Sequence, residues 1–176
     1  MKNVFLFTFL TLALVFTSEL TAQNFSGLDK SPADIATYPT SYRESDKAIK
    51  VIYSRPQLKG RSISELAPAG KVWRTGANEC TEIILYKDAN IGGKAVKAGT
   101  YSLFTIPGDN EWTVILNSNL NQWGAYSYDS AADVARVTAK AGTDDEELEA
   151  FSITFEDEGD MVLGWGTTRV FLPISF

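Results

Sequence analysis

The stretch KVWRTGANECTEI holds several side chains of the kinds that bind small polar molecules. Arg74 carries a rigid guanidinium with five N–H donors, Asn78 and Glu79 supply oxygen acceptors, and Trp73 supplies a flat apolar face. Together with Thr75, they predict a loop that contacts a sugar or a small carboxylate at the rim of the fold. In the alternative interpretation, Arg74 pairs with Glu79 or with a buried backbone carbonyl and only holds the loop closed.

A second cluster is basic. Arg55, Lys59 and Arg61 form the densest positive patch in the chain, and Pro56 and Gly60 indicate that they lie in a loop. Such a patch would contact a phosphate, a sulfate or an acidic glycan. The alternative is a solvated loop with no ligand.

A third cluster is the run NSNLNQWGAYSYD, residues 117–129, which places amides beside aromatic rings, Trp123 among them. Amides and aromatics suit neutral sugars, whose apolar ring faces are edged with hydroxyl groups. The same composition is also typical of long surface loops in β-sandwiches. We therefore keep both a saccharide-binding and a structural interpretation of this run.

The chain has no histidine, which excludes Ser-His-Asp and Cys-His catalysis and histidine-based zinc or iron sites. Cys80 is the only cysteine, and a lone thiol without a neighbouring base is expected to be buried and structural. We assign no catalytic residue and no metal ligand, and predict no cofactor. A carboxylate-based hydrolase or lyase that uses Glu79 or Glu82 with Arg74 stays open as an alternative.

Short alternating strands dominate the rest of the sequence. AIKVIYS, TEIILYK, EWTVILN and AFSITFE each repeat apolar residues at every second position, AGTYSLFTI supplies a further strand, and turn residues separate them. Gly92–Gly93 and residues 107–110 predict hairpin turns, whereas Gly164 and Gly166 predict a bulge or the close approach of another backbone. The pattern predicts an antiparallel β-sandwich, jelly-roll-like or a flattened barrel.

Helix signals are few. Residues 62–67 predict one helical turn, and Ser31–Pro32 predicts another that would begin at Ser31. The run TDDEELEAF begins with a good cap, Thr143, and predicts either a short helix or a charged lead-in to the next strand. One or two short helical turns are therefore expected.

The N-terminal residues have the pattern of a secretory signal peptide, with Lys2 before an apolar run and Ala22 at a cleavage point. The apolar run is shorter than the ~20 residues that a membrane-spanning helix needs. We expect a signal peptide at 1–22, an extended surface leader at 23–45 and one β-sandwich domain at 46–176, with no membrane span after signal removal. The net charge of −6 argues against nucleic acid as a partner.

The segments RPQLKGRSI, AGKVWRTGANE, AGTYSLFTIPG and LNQWGAY resemble those of an exported bacterial family known as domain of unknown function 2911. The likeness runs from about Ser31 to Phe176. It implies a secreted or periplasmic domain, and it implies no established activity, cofactor or catalytic residue. The residues that match the family pattern are Arg55, Lys59, Gly60, Arg61, Trp73, Arg74, Thr75, Gly76, Asn78, Glu79 and Trp123.

The expected function is a non-catalytic, exported binding module for a saccharide or another small polar or anionic ligand. Its pocket would form between the loops of residues 59–78 and 117–128, with Trp73 and Trp123 stacking on the ligand. A third interpretation is a structural or envelope-interaction protein without a pocket. No oligomeric state is predicted.

Overall fold

The structure, a computed structural model, describes residues 23–176; the predicted signal peptide lies outside the described residues. Within that range ten strands and two short helical segments form the fold. The strands are β1 (Ala33–Tyr38), β2 (Ile49–Ser54), β3 (Thr81–Leu85), β4 (Ala89–Ile91), β5 (Lys94–Val96), β6 (Gly99–Ile106), β7 (Glu111–Asn117), β8 (Asp133–Phe155), β9 (Met161–Leu172) and β10 (Ile174–Ser175). The helix α1 spans Ile63–Leu66, and a 3₁₀ turn spans Ser130–Ala132. The protein is therefore all-β with few helical turns, as the sequence predicts.

Seven strands form one curled sheet in the order β1-β2-β3-β6-β7-β8-β9, and β10-β4-β5 form a second, small sheet. Every strand pair is antiparallel. The predicted hairpins form: β4 and β5 join at Gly92–Gly93, and β6 and β7 join through residues 107–110. The register of β8 with β9 shifts between Leu148 and Ser152, where Gly166 and Gly164 are the partners, so the predicted bulge is confirmed.

The curled sheet closes where the chain that follows β2 meets the second half of β8. Gln57 pairs with Ala150 in an antiparallel bridge, and the backbone N–H of Phe151 donates to the carbonyl of Pro56. Deeper in, the Tyr53 hydroxyl accepts a hydrogen bond from the backbone N–H of Ile153 at 3.0 Å. The result resembles a flattened barrel whose interior holds the main core.

The core follows directly from strand alternation. In β2, Ile49, Val51 and Tyr53 are buried, whereas Ile52 is exposed. Their inward side chains pack with the inward residues of the other strands and with an aromatic cluster from three separate strands and a loop. A second, smaller cluster of Cys80, Phe104 and Ile115 lies on the outer face of the sheet.

Of the three predicted helical segments, one is wrong, one forms the predicted alternative and one is confirmed. The helical turn predicted to begin at Ser31 is wrong, because Ala33–Tyr38 forms strand β1 along β2 in a full six-residue register. Pairing with β2 outweighs the weak local preference for a helix start. The charged run after Thr143 lies inside β8, so it is the lead-in and not the helix. The turn at residues 62–67 is confirmed as α1, with a complete Ser62–Glu65 capping box.

Candidate functional site

Trp73 lies in the hydrophobic core and not at a rim. Its ring stacks on Trp165 with centroids 5.5 Å apart, and it meets Phe151 and Trp112 edge-on at 5.2 and 6.2 Å. Only 6% of its surface is exposed. The stacking role predicted for Trp73 is therefore not supported, since solvent does not reach its faces.

Thr75 and Gly76 form a buried turn next to Trp73. Thr75 is fully buried and adopts a left-handed φ of 55°, which is rare for a β-branched residue. Its hydroxyl donates to Thr105 Oγ1 at 3.1 Å, and its carbonyl accepts from Thr81 Oγ1 at 2.6 Å. A Cβ at Gly76 would lie 3.0 Å from both the carbonyl oxygen of Ser54 and Thr81 Oγ1, so a side chain at this close approach would require its neighbours to shift. The Thr-Gly pair braces the fold.

Arg74 lies on the opposite side of the backbone from Trp73. Trp73 pairs with Thr105 and faces the core, so alternation directs Arg74 to the outer face, where Phe104 and Cys80 lie. The side chain is half-buried, and its Nε is shielded from solvent without a hydrogen-bond partner. Among residues 23–176, no ion pair joins Arg74 to Glu79, so the salt bridge of the alternative interpretation is not formed.

The basic cluster of Arg55, Lys59 and Arg61 lies at the closure of the sheet. Arg55 donates from three nitrogens, to the Phe151 carbonyl at 3.0 Å, to Asp34 Oδ2 at 3.1 Å and to Ser152 Oγ at 2.7 Å. Arg61 donates to carbonyl oxygens of its own loop, those of residues 57 and 58. Two of the three cationic groups are thus engaged by the protein itself, and the Lys59 side chain is exposed.

Residues 78–80 of the first sequence cluster pair with residues 122–124 of the third. Glu79 pairs with Trp123 in an antiparallel bridge; the Cys80 N–H donates to the Gln122 carbonyl at 2.7 Å, and the Gly124 N–H donates to the Asn78 carbonyl at 3.0 Å. Because these hydrogen bonds flank the Glu79–Trp123 pair, the two side chains share one face at the closer of the two antiparallel spacings. The structure therefore brings Asn78, Glu79 and Trp123 together, away from the basic cluster.

The loop that carries Trp123 is held on the outer face by a polar network. The Tyr128 hydroxyl donates to Asp133 Oδ2 at 2.7 Å, and burial is the main reason that the pKa of Tyr128 is raised. Asn117 Nδ2 donates to Asp133 Oδ1 at 2.9 Å, and Arg136 Nη2 donates to the Tyr128 hydroxyl at 3.3 Å. The Tyr128 ring also packs edge-on against Phe104, at 5.0 Å. These contacts fix the loop against the sheet.

A cleft of about 320 Å³ opens between this loop and the outer ends of β1, β2 and β3. Its lining mixes two carboxylates, an amide, a hydroxyl and apolar surface. The lining residues are Ala33, Ile52, Tyr53, Ser54, Glu79, Cys80, Glu82 and Asn121. A volume of this size admits a small polar ligand such as one or two sugar rings.

The two carboxylates of the cleft differ in their surroundings. Glu82 lies on β3 and accepts a hydrogen bond through Oε1 from the backbone N–H of Asn121, at 3.2 Å. Glu79 is exposed, and within the described residues no side-chain hydrogen bond or ion pair uses it. Asn78 and Asn121 both adopt left-handed φ values, 60° and 57°, a conformation that asparagine tolerates better than most residues.

Cys80 lies at the back of the cleft with its thiol turned into the outer cluster. Its Sγ donates to the Leu103 carbonyl at 3.4 Å, and burial raises the pKa of the thiol to about 12. A thiol held in its protonated form is a poor nucleophile. The geometry agrees with the structural role predicted for this residue.

Glu79 is a site residue that the sequence predicts, whereas Ser54 and Ile52 have no predicted role. Glu82 is predicted only for the alternative in which the protein is an enzyme. These residues share the outward face of β2 and β3, a face that alternation alone treats as ordinary solvent-exposed surface. The polar character of Ser54 and Glu82 on neighbouring strands was the available signal. These polar residues indicate a site only when the loop that contains Asn121 is known to fold over them.

No helix among residues 23–176 is long and apolar enough to cross a membrane. In the same part of the chain, no three acidic or cysteine side chains are grouped so as to hold a metal ion. Comparison with curated proteins and with solved structures finds no match. A family model does match residues 31–174, so the chain belongs to the family described as Protein of unknown function (DUF2911).

Proposed function

We propose that this protein is an exported, non-catalytic binding module that takes a saccharide or another small polar ligand in the cleft between β2, β3 and the Trp123 loop. The observation that carries the proposal is the cleft itself, in which polar acceptors converge, with the exposed Trp123 ring paired to the lining residue Glu79. Export rests on the signal-like pattern of residues 1–22. The proposal moves the site away from Trp73, Thr75 and the basic cluster.

The chemistry of the cleft suits a hydroxylated ligand. The Glu79 carboxylate and the Glu82 oxygen that Asn121 does not use can accept hydrogen bonds from hydroxyl groups, and Ser54 can donate as well as accept. Trp123 is 63% exposed and stands beside Glu79, so its face is open to a sugar ring. Polar edges with an apolar face are the complement of a sugar.

The test is a glycan screen by thermal shift, followed by calorimetric titration of any stabilising glycan. Trp123→Ala should weaken binding about ten-fold, on the order of 1.4 kcal/mol, because the stacking face is lost. Tyr42→Ala is the matched control, since Tyr42 is 87% exposed but lies beyond the other ends of β1 and β2. If no glycan stabilises the protein, or both variants behave alike, the proposal fails.

A second candidate is a glycoside hydrolase that uses the same cleft. It is favoured by one observation: Glu79 and Glu82 line a single cleft, and glycosidases need two carboxyl groups. Against it, Glu79 is exposed, whereas the general acid of such enzymes is usually buried against apolar surface. Product analysis after incubation with a bound oligosaccharide decides: turnover that Glu82→Gln abolishes would replace the binding module with the enzyme.

A further inference from the structure

The charge of the cleft narrows the class of ligand. Glu79 and Glu82 line it, and no lysine or arginine is among its lining residues. A third carboxylate, Asp29, lies near Asn78, and its pKa is lowered mainly by the hydrogen bond from the Ser31 N–H, with smaller effects of the Asn78 side chain and the Lys30 charge. The chain as a whole carries a net charge of −6. A ligand that enters the cleft therefore meets negative charge.

Two arginines lie near the cleft without lining it. Arg55 follows the lining residue Ser54, and its guanidinium is paired with Asp34. Arg74 is the second. It lies on the same outer face but does not line the cleft, and its Nε is enclosed by protein. The Cys80 thiol lies at the back of the cleft, and its pKa depends on both a negative and a positive neighbour. After burial and hydrogen bonding, the Glu82 charge has a larger effect on this pKa than the Arg74 charge. No cation among the lining residues offsets the two carboxylates.

The carboxylate oxygens of Glu79 and Glu82 are also available to a ligand. Glu79 has no ion-pair partner in the described part of the chain, and Glu82 is bonded only to a backbone N–H. Trp123 adds an exposed aromatic face on the same side as Glu79. A carboxylate beside an open indole ring is the combination that holds an alkylammonium group, by charge and by the ring quadrupole.

We propose that the ligand carries a protonated amine, as in a saccharide with free amino groups, which Glu79 and Glu82 bind while Trp123 stacks on its ring. This inference rests on the proposed function and specifies its ligand class. It replaces the anionic ligand considered for the basic cluster, since an anion would meet two uncompensated carboxylates here. A sugar amine is protonated at mildly acidic pH.

The experiment compares three tetrasaccharides of equal length by calorimetric titration at mildly acidic pH: the glucosamine tetramer, the N-acetylglucosamine tetramer and the galacturonate tetramer. The glucosamine tetramer should bind about ten-fold more tightly than its acetylated form, the sum expected from one exposed ion pair and one cation–π contact. The galacturonate tetramer should bind most weakly. Added salt should reduce the difference between the amine and the acetamide.

Glu79→Gln and Glu82→Gln should each narrow the ratio between amine and acetamide binding. Glu158→Gln is the matched control, because Glu158 is an exposed carboxylate in the β8–β9 turn. Equal affinity for the glucosamine and N-acetylglucosamine tetramers would overturn this inference and leave the proposed function standing. If no saccharide of any charge binds, both are overturned. If Glu158→Gln matters as much as Glu82→Gln, the attraction is non-specific and the inference fails.

Discussion

Replacing Trp73 with alanine should destabilise the fold strongly, because the ring fills the centre of the aromatic cluster. It stacks on Trp165 and meets Phe151 and Trp112, with 6% of its surface exposed. Truncating a buried tryptophan costs about 3–5 kcal/mol through lost transfer energy and the cavity left behind. For a chain of this size each kcal/mol lowers Tm by about 2–4 °C, so the expected fall is roughly 6–20 °C.

The assay is thermal and urea unfolding followed by far-ultraviolet circular dichroism, which does not depend on tryptophan emission. Trp123→Ala removes the same side chain from a 63% exposed position and should change the free energy of unfolding by less than about 1 kcal/mol. Trp73→Phe should lie between the two, since it keeps an aromatic ring in the cluster. Equal stability losses for Trp73→Ala and Trp123→Ala would refute the assignment of Trp73 to the core.

Three further predictions concern the scaffold around the site. Arg55→Ala should lower the free energy of unfolding by about 2 kcal/mol, measured by urea titration. The reason is that three acceptors on β1 and β8 lose the partly exposed guanidinium that joins them. An unchanged free energy would show that closure of the sheet does not need Arg55. Ser62→Ala should cost about 1 kcal/mol by the same measurement through loss of the capping box of α1, and a neutral result would contradict the capping geometry. Because burial raises the pKa of Cys80 to about 12, the thiol should resist iodoacetamide in the folded protein and react only in denaturant; rapid labelling of the native state would argue against its burial.

Alternation was enough to predict the fold class, since most strands have one buried and one solvated face. In β7, Trp112, Val114 and Leu116 turn inward as the pattern requires. The first strand was missed because Ser31–Pro32 resembles a helix start, and only pairing with β2, which lies some fifteen residues away along the chain, makes the segment a strand. Long-range pairing of this kind leaves no local signal.

The candidate site could be predicted only in part, because its residues also come together through long-range pairing. Glu79 and Trp123 were both proposed as ligand-binding residues from composition, and the structure places them on one face as a bridge pair. Arg55 and Arg61 were proposed as well, but they lie in a separate region and hydrogen-bond to backbone carbonyls that a sequence does not reveal. An arginine in a loop looks the same whether its partner is a ligand or a distant strand.

The most direct test of the account is a titration of the protein with the glucosamine tetramer, followed in a two-dimensional amide NMR spectrum. The perturbed amides should be those of residues 52–54, 79–82 and 121–123, which line the cleft or adjoin its lining residues. Perturbations confined to the apolar groove between Asp88, Lys97 and Phe176 would contradict it, as would a spectrum that does not change.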